Sequence, residues 1–109
     1  MLDKYTYFYE GRKKLGRKKF HDLIHRYGKS IEKRKAEKCL ICDEKSRLEY
    51  SHIKSKSEFK DYEKVSDCIS IYNTCWLCPT CHEKLDHKQI PFSVVYGLNK
   101  QDIDKRQSM

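Results

Sequence analysis

The stretch NTCWLCPTCH, residues Asn73 to His82, puts three cysteines, a tryptophan, a proline, an asparagine and a histidine into ten positions. Cys78 and Cys81 form one C-x-x-C, and Cys39 and Cys42 form another, with 35 residues between the pairs. Each C-x-x-C turns the backbone so that two thiolates face one ion, and two such knuckles complete the tetrahedral sulfur shell that Zn²⁺ prefers. A structural zinc site is therefore expected at Cys39, Cys42, Cys78 and Cys81. The rival is a redox dithiol, but such motifs come singly beside a βαβ pattern, which this chain lacks. The gap between the knuckles is too long for a short zinc ribbon, so folded structure should fill it. Cys68 and Cys75 belong to neither pair and read as small buried core residues.

A staple of this kind suits the rest of the chain. At 109 residues, with 38% hydrophobic and 37% charged, it has little apolar surface to bury, and a metal or a cross-link is expected to supplement the core. The N-terminal residues mix Asp3, Lys4 and Glu10 with tyrosines, unlike a secretory leader, and no run reaches the length of a membrane span. The expectation is an intracellular, cytoplasmic chain in a reducing setting with no membrane partner, where paired cysteines hold metal. The formal charge of +8 is concentrated. Residues 1–38 carry 13 Lys and Arg against 5 Asp and Glu, and the remainder balances at 11 against 11. One basic segment suggests a polyanionic partner such as nucleic acid; an anionic membrane and a merely solvated basic helix are the alternatives.

Periodicity divides the chain further. Phe20, Leu23, Ile24 and Tyr27 fall at helical spacing and predict one helix over Glu10 to Tyr27. Gly28 fits a helix C′ position, and Ser30 a cap for a second helix from Ile31 to Lys38. The aromatic stretch Leu2 to Tyr9 fits a short strand or a packed arm. Arg47 to Ile53 alternates as a strand, with Leu48, Tyr50 and His52 on one face and Glu49, Ser51 and Ile53 on the other. Phe59, Tyr62 and Val65 suggest a helical turn, and Thr74 to Leu77 a second strand. Pro79 opens a helix reaching about Lys88, and Pro91 marks its end. Gly97 is a candidate break, Asn99 a candidate cap for a last helix, and Gln107 to Met109 a frayed end. Three segments of one compact domain result: 1–38, basic and mainly helical; 39–90, the module between and around the knuckles; and 91–109, a tail.

The module has an internal order. Cys39-x-x-Cys42, then LEYSHI ending Glu49-Tyr50-Ser51-His52-Ile53, then Asn73 five residues before Cys78, and finally Cys81-His82 resemble the HNH endonuclease family. The resemblance covers Cys39 to about His87, under half the chain. It implies a small α+β fold with a ββα-metal module, a hairpin followed by a helix with a catalytic divalent ion between them, stapled here by the four-cysteine zinc site. It implies His52 as general base, Asn73 as the residue that fixes the loop and base or touches metal, and His82 as a metal ligand. Mg²⁺ or Mn²⁺ would be the catalytic ion, and cleavage would leave 5′-phosphate and 3′-hydroxyl ends.

The residue types suit that chemistry independently. Phosphodiester hydrolysis needs an activated water, whose proton a neutral imidazole accepts at cellular pH, and positive charge near the phosphate, which a divalent ion supplies. One position departs from the family: Ser51 stands where a metal-binding aspartate or histidine is usual, and in this LEYSHI resembles the EAAHI variant, which also lacks a strong ligand there. Glu49, on the same strand face, and Asp86, one helical turn after His82, are the carboxylates that would complete the ion's shell. As ordinary residues they would be surface charges.

Six cations, Arg12, Lys13, Lys14, Arg17, Lys18 and Lys19, crowd the first helix and would contact phosphates of double-stranded DNA without reading sequence. His21-Asp22-Leu23-Ile24-His25 imitates the H-E-x-x-H of zinc proteases, but with the shorter aspartate and no third ligand it reads as part of the same basic helix. The leading expectation is a metal-dependent DNA endonuclease of restriction, phage or nicking type, with a homodimer compatible. A non-catalytic zinc-stapled nucleic-acid-binding module, or a subunit of a DNA-processing complex, is the alternative that Ser51 favours, and RNA is a weaker candidate substrate.

Overall fold

A computed structural model describes residues 3–107. The described elements follow in the order α1 (Phe8–Leu15), α2 (Arg17–Ile31), β1 (Glu49–His52), a 3-10 turn (Lys56–Glu58), α3 (Val65–Cys68), β2 (Thr74–Leu77), α4 (Pro79–Asp86) and α5 (Phe92–Gln107). Five helices and one two-stranded antiparallel sheet make a small α+β fold. The chain groups into two compact units, one formed by Met1–Lys33 with Lys54–Ser70 and the other by Arg34–Ile53 with Ile71–Met109. The segment between the knuckles is thus shared between them.

In the first unit the single helix expected over Glu10 to Tyr27 is two. Gly16 adopts φ 82°, a left-handed value that a side chain rarely tolerates, and so ends α1 and starts α2. The helical stripe nonetheless works as expected: Phe20 and Ile24 are buried with Phe8, Phe59, Val65, Cys68 and Ile69. Phe8 meets Phe20 edge-on at 5.4 Å and stacks on Phe59 at 5.2 Å. Gly28 does not end α2 but lies buried within it. Ser30 caps nothing, because its hydroxyl donates back to the carbonyl of Tyr27, and residues 32–38 form no helix. The N-terminal aromatic arm pairs through a single bridge, Tyr7 with Lys64, before α1 begins.

Gly11 marks where α1 and α2 touch. A Cβ there would overlap the ring of Phe20, which has no room to yield inside the cluster. Gly11→Ala is therefore expected to lower stability by about 1–3 kcal/mol through overpacking, despite alanine's better helix propensity, and a thermal unfolding curve checks it.

The second unit is a hairpin-and-helix layer. β1 and β2 pair with Glu49 opposite Leu77, Tyr50 opposite Trp76, Ser51 opposite Cys75 and His52 opposite Thr74. β2 and the start of α4 lie where the alternation and Pro79 place them, and α4 ends at Asp86. Cys75, Leu77, Leu85, Val95 and Ile53 form its core together with Cys39, Cys78 and Cys81. α5 corrects two expectations. Gly97 does not interrupt it, and Asn99 is not a cap but a buried mid-helix residue. Asn99 Nδ2 donates to the carbonyl of Ile71 at 2.8 Å, and its Oδ1 accepts from Arg34 Nη1 at 3.1 Å. Burial of an amide is offset by such bonds, so tertiary partners outweigh the residue's preference for helix ends. Of the end expected to fray, Gln107 is helical; Ser108 and Met109 lie outside the described residues.

Candidate metal centre and the adjoining polar cluster

The two knuckles converge. In the first, the amide of Cys39 donates to the carbonyl of Glu44 and that of Asp43 to the carbonyl of Cys39, with Asp43 at φ 65° completing the tight turn. The amide of Leu40 donates to the carbonyl of Trp76 at 3.0 Å, which fastens this turn to β2. In the second, Cys78 is the N-cap of α4: its Sγ accepts from the amide of Cys81, and its carbonyl accepts from the amide of His82. The four Sγ atoms all lie within 4.8 Å of one another, and those of Cys42 and Cys78 are 3.6 Å apart. A tetrahedral ion with Zn–S bonds of about 2.3 Å would space its sulfurs by about 3.8 Å, so the cluster has the donors and the size of a structural zinc site.

Its electrostatics suit a cation. Burial opposes ionisation of Cys39, but amide groups of Cys42, Cys78 and Ile41 aimed at its sulfur bring the pKa down to about 7. The Cys81 thiol is pushed up, first by burial and then by the neighbouring sulfurs, because thiolates this close repel without an ion between them. The other two cysteines are buried, as the sequence suggests: Cys75 packs in the same core as Cys39, Cys78 and Cys81, and Cys68 lies in the core of the first unit, where burial pushes its thiol up to about 12.

One residue beyond the second knuckle, His82 lies between two carboxylates. Its Nδ1 is 2.8 Å from Oε1 of Glu49, and its Nε2 is 3.7 Å from Oδ2 of Asp86. The sequence named these three as one candidate ligand set, and the packing of α4 on β1 brings them together. They are looser than the cysteines. Among the described residues, no group of His, Cys, Asp or Glu other than the four cysteines gathers closely enough to be a ready metal site. Ser51, on the same strand face as Glu49, is buried, and its hydroxyl donates to the carbonyl of Glu49 at 3.1 Å.

His52 ends β1 and points to the other face, where its ring meets Tyr50 edge-on at 5.3 Å. Asn73 is tied beside it. The amide of Ile53 donates to the carbonyl of Asn73 at 2.7 Å, and Oδ1 of Asn73 accepts from the hydroxyl of Tyr96 at 2.8 Å. Tyr96 escaped sequence reasoning because no periodicity connects it to a residue 23 positions earlier. Arg34 escaped as well. It was expected inside a helix, yet its Nη2 donates to the carbonyl and hydroxyl of Thr74, and its own carbonyl accepts from Trp76 Nε1.

The six cations of the basic segment are not equivalent. Lys13, Lys14, Arg17, Lys18 and Lys19 are exposed. Arg12 is turned inward: it lies 4.8 Å over the Phe8 ring, pairs with Asp61 at 2.9 Å and donates to the carbonyls of Lys56 and Phe59. Its donors are committed within the fold, and Arg17 gives one Nη to the carbonyl of Ser57 at 3.2 Å. Of the six expected phosphate contacts, the four exposed lysines are the ones left uncommitted by such bonds, for a log–log salt slope of about −3.6.

Arg12 Nε also donates to Nε2 of His21 at 3.3 Å. Burial first, then the positive charges of Arg12, Arg17 and Lys56, hold the His21 pKa down near 4. In the unfolded chain this imidazole takes its proton near pH 6.5, whereas in the folded one it does so only near pH 4. Stability is therefore expected to fall as pH drops from 6.5 to 4 and to be indifferent to this group above 6.5. With solvent screening of a half-exposed ring, the loss is about 1–2 kcal/mol. Unfolding curves of His21→Gln and wild type at pH 7 and pH 4.5 should differ by that amount in their acid sensitivity.

No family model matches the chain, and no curated protein or solved structure matches it.

Proposed function

We propose that the protein is a zinc-stapled, metal-dependent endonuclease acting on double-stranded DNA. The observation that carries this reading is the placing of His82 between Glu49 and Asp86 on a hairpin-and-helix layer fastened by four cysteines. A metal-binding histidine commonly gives its second ring nitrogen to a carboxylate, which fixes the tautomer and the ring. On that pattern Glu49 accepts a hydrogen bond from Nδ1–H and orients His82, while Nε2 and Asp86 would hold Mg²⁺ or Mn²⁺. Glu49 then positions the ligand rather than binding the ion. A divalent ion there supplies Lewis-acid stabilisation of charge on the phosphate and the leaving oxygen. His52, whose ring is buried at the end of β1 on the strand face opposite Glu49, is assigned by the sequence pattern as the group that accepts the proton of the attacking water. Asn73 holds the backbone beyond His52 from one side and is itself held by Tyr96 from the other. The exposed lysines of α1 and α2 bind backbone phosphates, which gives affinity without sequence readout.

A second reading, a zinc-stapled DNA-binding module without catalysis, is favoured by Ser51. Its hydroxyl is spent on its own strand, so the usual ligand is lacking and nothing at that position replaces it. Supercoiled plasmid incubated with Mg²⁺ or Mn²⁺ separates the two readings. Nicked or linear product is expected from the endonuclease, and salt-dependent binding with no product under any divalent ion from the module.

A further inference from the structure

The first unit has a surface that the proposed chemistry does not use. Four tyrosines are left largely in water: Tyr5 at 61%, Tyr7 at 42%, Tyr9 at 53% and Tyr62 at 76% of their full exposure. The backbone gathers three of them. Tyr7 bridges Lys64, while the amides of Phe8 and Tyr9 donate to the carbonyls of Glu63 and Asp61, the two neighbours of Tyr62. Three rings carry a lysine ammonium: Lys4 is 5.2 Å from the Tyr5 centroid, Lys64 is 5.3 Å from Tyr7 and Lys13 is 5.6 Å from Tyr9. The alternation that exposes Tyr7 and Tyr9 sends Phe8 between them into the core, so the unit keeps the apolar ring and displays the amphipathic ones.

We infer that Tyr7, Tyr9 and Tyr62, extended by Tyr5, whose neighbours Lys4 and Thr6 accept from the amides of Ser66 and Val65, form with Lys4, Lys13 and Lys64 a stacking platform for unpaired bases of single-stranded nucleic acid. Rings offer π-faces to which any base can stack, and interleaved ammonium groups meet the phosphates between the bases. The unit is built for an anionic partner, with 14 Lys and Arg against eight Asp and Glu. An apolar protein partner would leave the lysines buried without counter-charge, and a duplex would offer no free base faces. The inference rests on the nucleic-acid partner proposed above, but not on its cleavage chemistry. Its consequence for function is a preference for DNA with frayed or single-stranded segments.

The test is fluorescence anisotropy of a labelled oligo-dT of about twelve nucleotides, matched against a blunt duplex, with the full chain. Tyr9→Ala and Tyr62→Ala are each expected to weaken oligo-dT binding about five- to a hundredfold, the range seen for loss of one stacked base, and duplex binding much less. Tyr9→Phe and Tyr62→Phe keep the ring and should bind nearly as wild type. Both side chains are exposed, so unfolding curves matching wild type are expected and confirm that the loss is local. Wild-type affinity for oligo-dT in both alanine variants overturns the platform. So does binding of the wild type to phosphatidylserine vesicles, but not oligo-dT, that the same substitutions abolish. A wild type that binds or cuts duplex but ignores oligo-dT removes the platform alone, whereas one that engages neither removes the nucleic-acid reading beneath it.

Discussion

Cys39→Ser and Cys81→Ser are each expected to reduce bound zinc from one ion per chain to a small fraction and to unfold the unit that contains the hairpin. Structural zinc contributes about 10–16 kcal/mol of apparent binding energy, comparable to or larger than the entire stability of a typical domain. Three of the four cysteines also belong to the core, since Cys39, Cys78 and Cys81 are buried with Leu77, Leu85 and Val95, while Cys42 is exposed. Trp76, the chain's single tryptophan, gives a local reporter, because its indole nitrogen donates to the carbonyl of Arg34 within this unit. Its fluorescence should shift to that of a solvated indole in both variants and in wild type stripped by a strong chelator. Cys68→Ser and Cys75→Ser should retain the zinc. Full zinc content and native fluorescence in Cys39→Ser would show that the cysteines are not its ligands.

Substitutions around His82 should separate three roles by size. His82→Ala removes the proposed nitrogen ligand and is expected to lower the cleavage rate by about a hundred- to ten-thousandfold, from several kcal/mol of lost Lewis-acid stabilisation. Asp86→Asn leaves a weaker oxygen donor and should raise the concentration of Mg²⁺ needed for half-maximal rate. Glu49→Gln loses only the partner of Nδ1, and effects of such supporting groups run to about ten- to a hundredfold. Cleavage rates measured across a magnesium titration give all three. If Glu49→Gln raises the magnesium requirement more than Asp86→Asn does, Glu49 is a ligand and the assignment of the two carboxylates is reversed.

What could be read from the sequence follows from how local each signal is. The knuckles, the strand at Thr74 to Leu77 and the helix after Pro79 depend on neighbours within a few positions, and all three are found. The nearness of Asp86 to His82 was legible for the same reason, the two being one helical turn apart. Glu49 was legible through strand alternation, which put it on the face that α4 covers. The failures lie where tertiary contact overrides a local preference. Gly16 rather than Gly28 breaks the N-terminal helix, because Gly28 is buried inside α2 while Gly16 takes a left-handed φ. Asn99 serves a buried network that joins Arg34, Ile71 and α5 across up to 65 positions, and no short window contains it. Arg12 shows the same limit for charge: a run of cations reads as one surface, yet its first member faces inward onto Phe8 and Asp61.

The central claim is that His52 activates water for phosphodiester cleavage. It is tested most directly by the single-turnover rate at which zinc-loaded protein nicks supercoiled plasmid with saturating Mn²⁺, compared between wild type and His52→Ala. A general base contributes about a hundred- to ten-thousandfold, so the variant should be slower by that factor while keeping its zinc and its affinity for DNA. Equal rates in the two proteins would contradict the assignment of His52, and no cleavage by either would leave a DNA-binding module in place of the nuclease.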